Sequence, residues 1–277
     1  MMQPTESSGR VGSVLKVSVL MVALLFVSAP AFAKSPGHTN NGHHHTRTNY
    51  DPEIMQTVMD ACNIGGSVSY CSGGYNASQT FGSALPLGDV VTLTATFAPE
   101  NASSATISFS DSLGNTVSVE SEQCAPTTPV LCSAVAYFLV TVGGVDDIRF
   151  TVTGASGCLH FTAEDWYAAN SASLQPLGTG GYCGPACTTT LATTPIVFAT
   201  APNETIAVSA FEAIFNSSLT SWTSSLPFFM YSNDAFSSGG CSLLFQATNS
   251  TATIFDFNST TSVAPTAFAG SAEVLYV

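Results

Sequence analysis

The sequence predicts a mainly β protein made of one or two antiparallel β-sandwich domains, stapled by disulfides and preceded by one short helix. Three observations lead to this prediction. Apolar and polar residues alternate with a period of two over much of the chain, as in strands with two different faces. All eight cysteines lie beyond residue 60, as in disulfide-bonded exported proteins. Charged residues make up only 8% of the 277 residues.

The N-terminus has the pattern of a secretory signal peptide. Arg10 and Lys16 precede an apolar run over 17–27, and the Ala-Phe-Ala sequence at 31–33 has the form of a cleavage site. The run is too short to span a bilayer, and no later apolar run is long enough, so we expect no integral membrane segment in the mature chain. We therefore expect residues 1–33 to be removed and the protein to be secreted or held at the cell surface.

Residues 34–50 contain almost nothing apolar and predict a flexible arm. The arm holds the most concentrated set of potential metal ligands in the chain. Imidazoles on such a segment bind Zn²⁺, Cu²⁺ or Ni²⁺ weakly, and a solvated arm without a ligand is the other interpretation. The candidate metal-binding residues are His38, His43, His44 and His45.

A short helix is predicted directly after the arm. Asp51 is a good N-cap, and Pro52 suits the first helical position. Ile54 and Val58 lie at helical spacing, and the Asn-Ile-Gly-Gly sequence at 63–66 predicts the end of the helix.

Strand patterns are clearest over residues 88–153. The apolar residues of this region alternate with Thr92, Thr94 and Thr96, which predicts a strand with one buried and one solvated face. The stretch 134–142 is almost entirely apolar and predicts a central strand. Further segments with strand or turn patterns are 105–110, 148–152 and the Ser-Leu-Gly-Asn turn at 112–115.

A second series of strands runs from Ile196 to the C-terminus, and between the two series residues 168–181 lose the strand pattern. Roughly a dozen short strands separated by Gly, Pro, Asn and Ser turns predict sandwiches and not alternating β-α-β units. We expect the helix and a first sandwich over 51–167, a linker over 168–181 and a second sandwich over 182–277. One larger sandwich is the alternative.

One part of the chain resembles a known family. The segment GDVVTLTAT at 88–96, the strand at 105–109, the turn at 111–115 and the strand at 149–153 are similar to the bacterial immunoglobulin-like domains of surface proteins and adhesins. The resemblance implies an immunoglobulin-like sandwich in this region and a role at a cell surface.

Charge excludes several classes of partner. The formal net charge is −13, and Arg149 is the only Lys or Arg beyond residue 50. Such a chain has no surface that neutralises phosphates, so we exclude nucleic acids and anionic lipids as partners. Salt bridges likewise cannot hold this fold together.

The cysteines predict a disulfide framework, because their number is even and the signal peptide directs the chain to an oxidising compartment. Short spacings favour local loops, although the connectivity stays open. Zinc ligation would need paired C-x2-C units, which the sequence lacks. The predicted disulfide cysteines are Cys62, Cys71, Cys124, Cys132, Cys158, Cys183, Cys187 and Cys241.

Asn-x-Ser/Thr sequons are slightly more frequent than chance predicts. They are glycan acceptors if the source is a eukaryote, and most would be inert in a bacterium. The candidate glycosylation sites are Asn76, Asn101, Asn203, Asn216, Asn249 and Asn258.

Signals of catalysis are missing, and we predict no catalytic residue and no cofactor. Hydrolase motifs are absent from the mature chain, and His160 is the only histidine outside the arm. A hydrolase built on His160 with Glu164 and Asp165 is one alternative, and a strand-edge position for His160 is the other. Adjacent acids on a strand point to opposite faces, so Glu164–Asp165 and Asp146–Asp147 form no acid/base dyad, although either pair is able to ligate Ca²⁺ with loop carbonyls.

We expect a secreted structural or adhesive protein of the cell surface or extracellular matrix. Ser and Thr occupy the predicted solvated faces, so strand edges lack the charges that prevent edge pairing. Such surfaces self-associate or bind another surface protein or a glycan. The alternatives are a soluble secreted binding module for carbohydrate or divalent metal and, after it, a secreted hydrolase.

Overall fold

The protein is mainly β and antiparallel, as the sequence predicts. Within the described residues there is no α-helix, hence no helix that could cross a membrane, and one 3₁₀ turn lies at Ser171–Ser173. The signal-peptide region 1–33 and the arm 34–50 lie outside the described residues. The computed structural model describes residues 52–61, 75–99, 106–127, 130–153, 157–168, 170–185, 187–215, 221–224, 229–235, 241–248 and 252–277.

The described strands of the first half are β1 (Glu53–Ala61), β2 (Tyr75–Thr80), β3 (Val90–Pro99), β4 (Thr106–Asp111), β5 (Ser118–Ala125), β6 (Leu131–Leu139), β7 (Asp147–Thr153) and β8 (Gly157–Tyr167). Five of them form large sheet 1, in the order β1-β8-β3-β6-β5. The other three form a smaller sheet, β2-β7-β4. All of these pairings are antiparallel.

The described strands of the second half are β9 (Gln175–Cys183), β10 (Thr190–Ala192), β11 (Ile196–Val197), β12 (Thr205–Ile214), β13 (Trp222–Ser224), β14 (Phe229–Ala235), β15 (Cys241–Thr248), β16 (Ile254–Phe255), β17 (Asn258–Thr261) and β18 (Ala267–Tyr276). Large sheet 2 has the order β14-β15-β12-β18-β9. Two small sheets, β10-β17-β13 and β11-β16, complete this half.

The helix predicted after Asp51 is wrong, because Glu53–Ala61 forms β1. This strand pairs with β8, from Glu53 opposite Tyr167 to Ala61 opposite His160. Capping residues favour a helix locally by a few tenths of a kcal/mol to about 1 kcal/mol. Pairing along a whole neighbouring strand outweighs this preference. Strand β9, Gln175–Cys183, begins within the residues 168–181 that the sequence predicts as a linker. The division into one or two sandwich domains stays a prediction.

Each large sheet covers an apolar core with one of its faces. Large sheet 1 and the β2-β7-β4 sheet enclose a cluster that includes Phe150 and Phe161, whose rings stack with centroids 5.8 Å apart. Large sheet 2 and the small sheets enclose a second cluster, in which Phe211 and Phe268 meet edge to face at 5.3 Å. Burial of such rings contributes about 1.5–3 kcal/mol each.

The opposite faces of the two large sheets pack against each other. The contact is apolar at its ends, where Trp166 meets Ile206 and Leu131 meets Ala267. In the middle, the Ser133 hydroxyl donates to the Ser271 hydroxyl (3.0 Å), and the Ser271 hydroxyl donates to the Ser133 carbonyl (2.9 Å). We call this middle region the polar layer; its residues are Thr92, Thr94, Thr96, Ser133, His160, Thr162, Glu164, Glu212, Ser271 and Glu273.

The threonines of β3 do not form the solvated face that the sequence predicts. Thr92, Thr94 and Thr96 are buried in the polar layer, because large sheet 2 covers the face that they occupy. The Thr92 hydroxyl donates to Glu164 Oε2 (2.8 Å) and accepts from the Trp166 indole N–H (2.9 Å). Thr92 therefore acts as a buried hydrogen-bonding group and not as part of a solvated face.

Two buried carboxyls of the polar layer favour their protonated form. Burial raises the pKa of Glu164 to about 7, against the Thr92 hydrogen bond, which lowers it. Burial also raises the pKa of Glu273 well above its ordinary value, and the charges of Glu120 and Glu164 raise it further. Neither carboxyl oxygen of Glu273 has a hydrogen-bond partner among the described residues. The fold therefore prefers these groups neutral.

We predict that the free energy of unfolding is highest in mild acid and falls as the pH rises from about 4.5 to about 7. The sign follows because folding raises the pKa of Glu164 from 4.5 to about 7, so the folded state binds more protons in that window. Replacement of Glu164 by Gln should make this fall in the free energy of unfolding smaller by about 3 kcal/mol. Urea unfolding at several pH values measures it, with Asp256→Asn at an exposed position as the control. An unchanged slope in the Glu164 variant would contradict the prediction.

Candidate functional site

Three loops meet at one end of large sheet 1. They are 81–89 between β2 and β3, 112–117 between β4 and β5, and 140–146 between β6 and β7. The amide of Leu85 donates to the carbonyl of Gly144 (2.7 Å), and the reverse bond is 3.1 Å. The side-chain amide of Asn115 donates to the carbonyl of Val142 (3.2 Å). We call this region the loop end.

Asp111 organises the middle loop. Its Oδ1 accepts from the amides of Leu113 and Gly114, and its Oδ2 accepts from the backbone and side-chain amides of Asn115. Gly114 has φ of 88°, a conformation that L side chains rarely adopt. The sequence correctly predicts a turn here, and Asp and Gly are the residues that such a turn requires.

Asn115 fastens the middle loop to its neighbour. It is 7% exposed, and its Oδ1 accepts from the amides of Thr141 and Val142, both at 2.8 Å, and from the Thr141 hydroxyl at 3.0 Å. A single side chain thus satisfies two backbone amides of another loop while it bonds to Asp111. These shared hydrogen bonds fasten loop 112–117 to loop 140–146.

Asp146 and Asp111 form one of two carboxyl pairs in the loop end. It is buried, and its Oδ1 accepts from the amide (3.1 Å) and hydroxyl (2.9 Å) of Ser112. Burial raises the pKa of Asp146, the bonds from Ser112 lower it, and the charge of Asp111 raises it. Its Oδ2 has no hydrogen-bond partner among the described residues. Asp147, the next residue in the sequence, lies beside Arg149, with its Oδ2 3.4 Å from Nε.

Asp89 and Asp165 form the second carboxyl pair. Both are buried, and they lie on the same face of neighbouring strands, because Asp165 is opposite Val91 and Asp89 precedes Val91 by two residues. Burial raises the pKa of Asp89 to about 7, with further contributions from the charge of Asp165 and the hydrogen bond to it. Burial also raises the pKa of Asp165, while hydrogen bonds from Gln56 and Asp89 lower it. Two buried carboxyls in contact are stable when they share a proton.

Apolar side chains project from the surface of the loop end. Leu87 is 71% exposed, Val145 is 63% exposed and Val142 is 47% exposed. They lie on the two loops that the Leu85–Gly144 bridge joins. Large apolar side chains on loops with fixed backbones are suited to contact another surface.

The acids that the sequence singles out do separate onto opposite faces, as predicted. Glu164 faces the polar layer, whereas Asp165 faces the other side of β8 and meets Asp89. His160 is not at a strand edge: β8 lies between β1 and β3, and the imidazole is 2% exposed in the polar layer. Within the described residues, no group of three or more His, Cys, Asp or Glu side chains is placed to hold a metal ion.

Two of the predicted local disulfides are present. Cys124 is bonded to Cys132 across β5 and β6, and Cys183 is bonded to Cys187 after β9. Such bonds are typical of an oxidising compartment. Cys158 lies in β8 and Cys241 in β15. The candidates His38, His43, His44, His45, Cys62 and Cys71 lie outside the described residues.

The candidate glycosylation sites are scattered over the fold. Asn203 is exposed in the turn before β12, and its backbone N–H donates to the carbonyl of Val277 (3.0 Å). Asn258 is half-buried in β17, opposite Ala192, and Asn76 lies in β2. The remaining candidates, Asn101, Asn216 and Asn249, lie outside the described residues.

Sequence reasoning did not assign a role to Asp89, Asp111 or Asn115. Asp111 and Asn115 carried a signal, since Asp111 precedes the predicted turn at 112–115 and Asn115 is its last residue. The pairing of Asp89 with Asp165 depends on which strands become neighbours, and no local pattern contains that information. No family model, curated protein or solved structure matches the chain.

We predict that Asn115→Ala loosens the loop end without unfolding the protein. The change removes the acceptor of the Thr141 and Val142 amides, which lie in a part-buried position, and each lost hydrogen bond of this kind costs about 0.5–1.5 kcal/mol. Hydrogen exchange should lose protection at Thr141 and Val142, while the amide of Phe198, which donates to the Thr253 carbonyl (2.8 Å), is unaffected. Full protection at both loop amides would refute the role of Asn115.

Proposed function

We propose that this chain is a secreted, immunoglobulin-like β-sandwich protein that serves as a structural or adhesive component of a cell surface or extracellular matrix. It associates with further copies of itself through the loop end. The observation that carries the proposal is the exposure of Leu87, Val142 and Val145 on loops whose backbones are already fixed. A preorganised apolar surface loses little conformational entropy on contact, so burying it is favourable.

The charge distribution supports a role without enzymatic or nucleic-acid chemistry. Arg149, the only cation beyond residue 50, lies beside Asp147, so nothing in the described part offers a phosphate-binding surface. A hydrolase built on His160 would need that imidazole to reach a substrate, and it is buried between two large sheets. The disulfides and the predicted signal peptide agree with an extracellular location.

We predict that the native molar mass of the wild-type protein rises with concentration at pH 5.5, and that Leu87→Ser with Val145→Ser abolishes the rise. The double variant removes the apolar area that contact would bury, about 25 cal/mol per Å². Light scattering before and after reduction measures the mass and shows whether disulfides join the subunits.

The matched control for this prediction is Val197→Ser with Ile254→Ser. These residues are 66% and 54% exposed and lie opposite each other on β11 and β16, away from the loop end. The control should associate like the wild-type protein. A wild-type protein that stays monomeric at every concentration, or a control that loses association equally, would overturn the proposal.

A further inference from the structure

The Asp89–Asp165 pair connects loop 81–89 to the strands behind it. Asp89 ends the loop where β3 begins, and Asp165 lies on β8 opposite Val91 of β3. The side-chain amide of Gln56 on β1 donates to Asp165 Oδ2 (2.9 Å). Gln56 also contacts Ser83 within the loop: its Oε1 accepts from the Ser83 amide (3.1 Å), and its Nε2 donates to the Ser83 carbonyl (3.3 Å). These polar contacts therefore hold both arms of the loop.

The rest of the loop depends on the neighbouring loop 140–146. The amide of Phe81 donates to the Asp146 carbonyl (3.1 Å), and the amide of Gly88 donates to the Val140 carbonyl (2.9 Å). Gly88 has φ of 90°, which glycine adopts without strain. Leu87, the most exposed apolar residue of the loop end, lies next to it. A shift of Asp89 away from Asp165 would therefore move the backbone that presents Leu87.

The charged groups around Asp89 offer it no compensating cation in the described part of the chain. From β8 it faces Asp165, which also accepts a hydrogen bond from the neutral amide of Gln56 on β1. The other carboxyls of the loop end are Asp111, at the end of β4, and Asp146, on loop 140–146, and Arg149 on β7 is beside Asp147. Burial and Asp165 together raise the pKa of Asp89 to about 7. Loss of the shared proton therefore places two like charges in contact in a buried position.

We infer that the Asp89–Asp165 pair is a proton-dependent clamp that regulates association at the loop end. While one proton is shared, the Asp89 hydroxyl donates to the Asp165 carboxylate and loop 81–89 is held in place. When that proton leaves to solvent, both groups are ionised, they repel each other and the loop is released. The clamp rests on the proposed function only for its biological effect, since its opening is measurable in a monomer.

Amide hydrogen exchange tests the clamp directly. The probes are the amides of Phe81, Leu85 and Gly88, whose acceptors all lie on loop 140–146. After correction for the intrinsic pH dependence of exchange, opening of the loop should increase roughly 10- to 100-fold between pH 5 and pH 8. The variant Asp89→Asn keeps a neutral donor toward Asp165 and should abolish the increase. Asp256→Asn, which changes the net charge equally at an exposed site, should retain it.

Light scattering on the same samples tests the regulatory role. Association of the wild-type protein and of Asp256→Asn should fall over the pH range in which the loop opens, and association of Asp89→Asn should not. Opening that is independent of pH, or that persists in Asp89→Asn, overturns the clamp. A mass that does not follow loop opening overturns its regulatory role. A wild-type protein that is monomeric at every pH contradicts the proposed function, and the exchange data still decide whether the clamp exists.

Discussion

The shortage of cations is the constraint on which the rest of this structure depends. A buried carboxyl in most proteins is neutralised by Lys or Arg, and beyond residue 50 this chain has only Arg149. Its buried acids must be stabilised by hydroxyls, amides or protons instead. Glu164 accepts from Thr92, Asp146 accepts from Ser112, and Asp89 shares a hydrogen bond with Asp165. Ser and Thr hydroxyls therefore also act inside the protein, where they donate hydrogen bonds to buried carboxyls.

The shortage of cations also bears on the polar layer, through which the two large sheets meet. Each sheet already covers an apolar core with its other face. The contact between the sheets is stabilised by apolar ends around Trp166 and Leu131 and by the Ser133–Ser271 hydrogen bonds at its centre. Carboxyls at the centre add little while they are neutral and become destabilising when ionised. The stability of the whole fold therefore depends on the protonation of a few carboxyl side chains.

The period-two pattern predicted most of the strands in 88–153, because alternation is a local property that neighbours in sequence determine. It placed Thr92, Thr94 and Thr96 on one face of β3 correctly and their environment wrongly, since a second sheet covers that face. The helix prediction failed for a related reason: β1 is determined by its partner β8, about a hundred residues away along the chain. At the site, the turn at 112–115 was predictable from its own residues, and the Asp89–Asp165 pair was not, because it requires knowledge of strand order.

The loop end presents apolar side chains, and ordering the backbone that carries them costs conformational entropy. Exposed Leu and Val are useful in a contact only if their backbone does not have to be ordered when the contact forms. Asn115, which is buried, and Asp111, which is half-buried, supply that order by satisfying backbone amides with side-chain acceptors. Their acceptors need no cation, so the loop end is rigid within the limits of this composition. Two of its supports are Asp89 and Asp146, carboxyls whose pKa is raised by burial and by a neighbouring carboxyl, so the hold on the loop end weakens as these groups ionise.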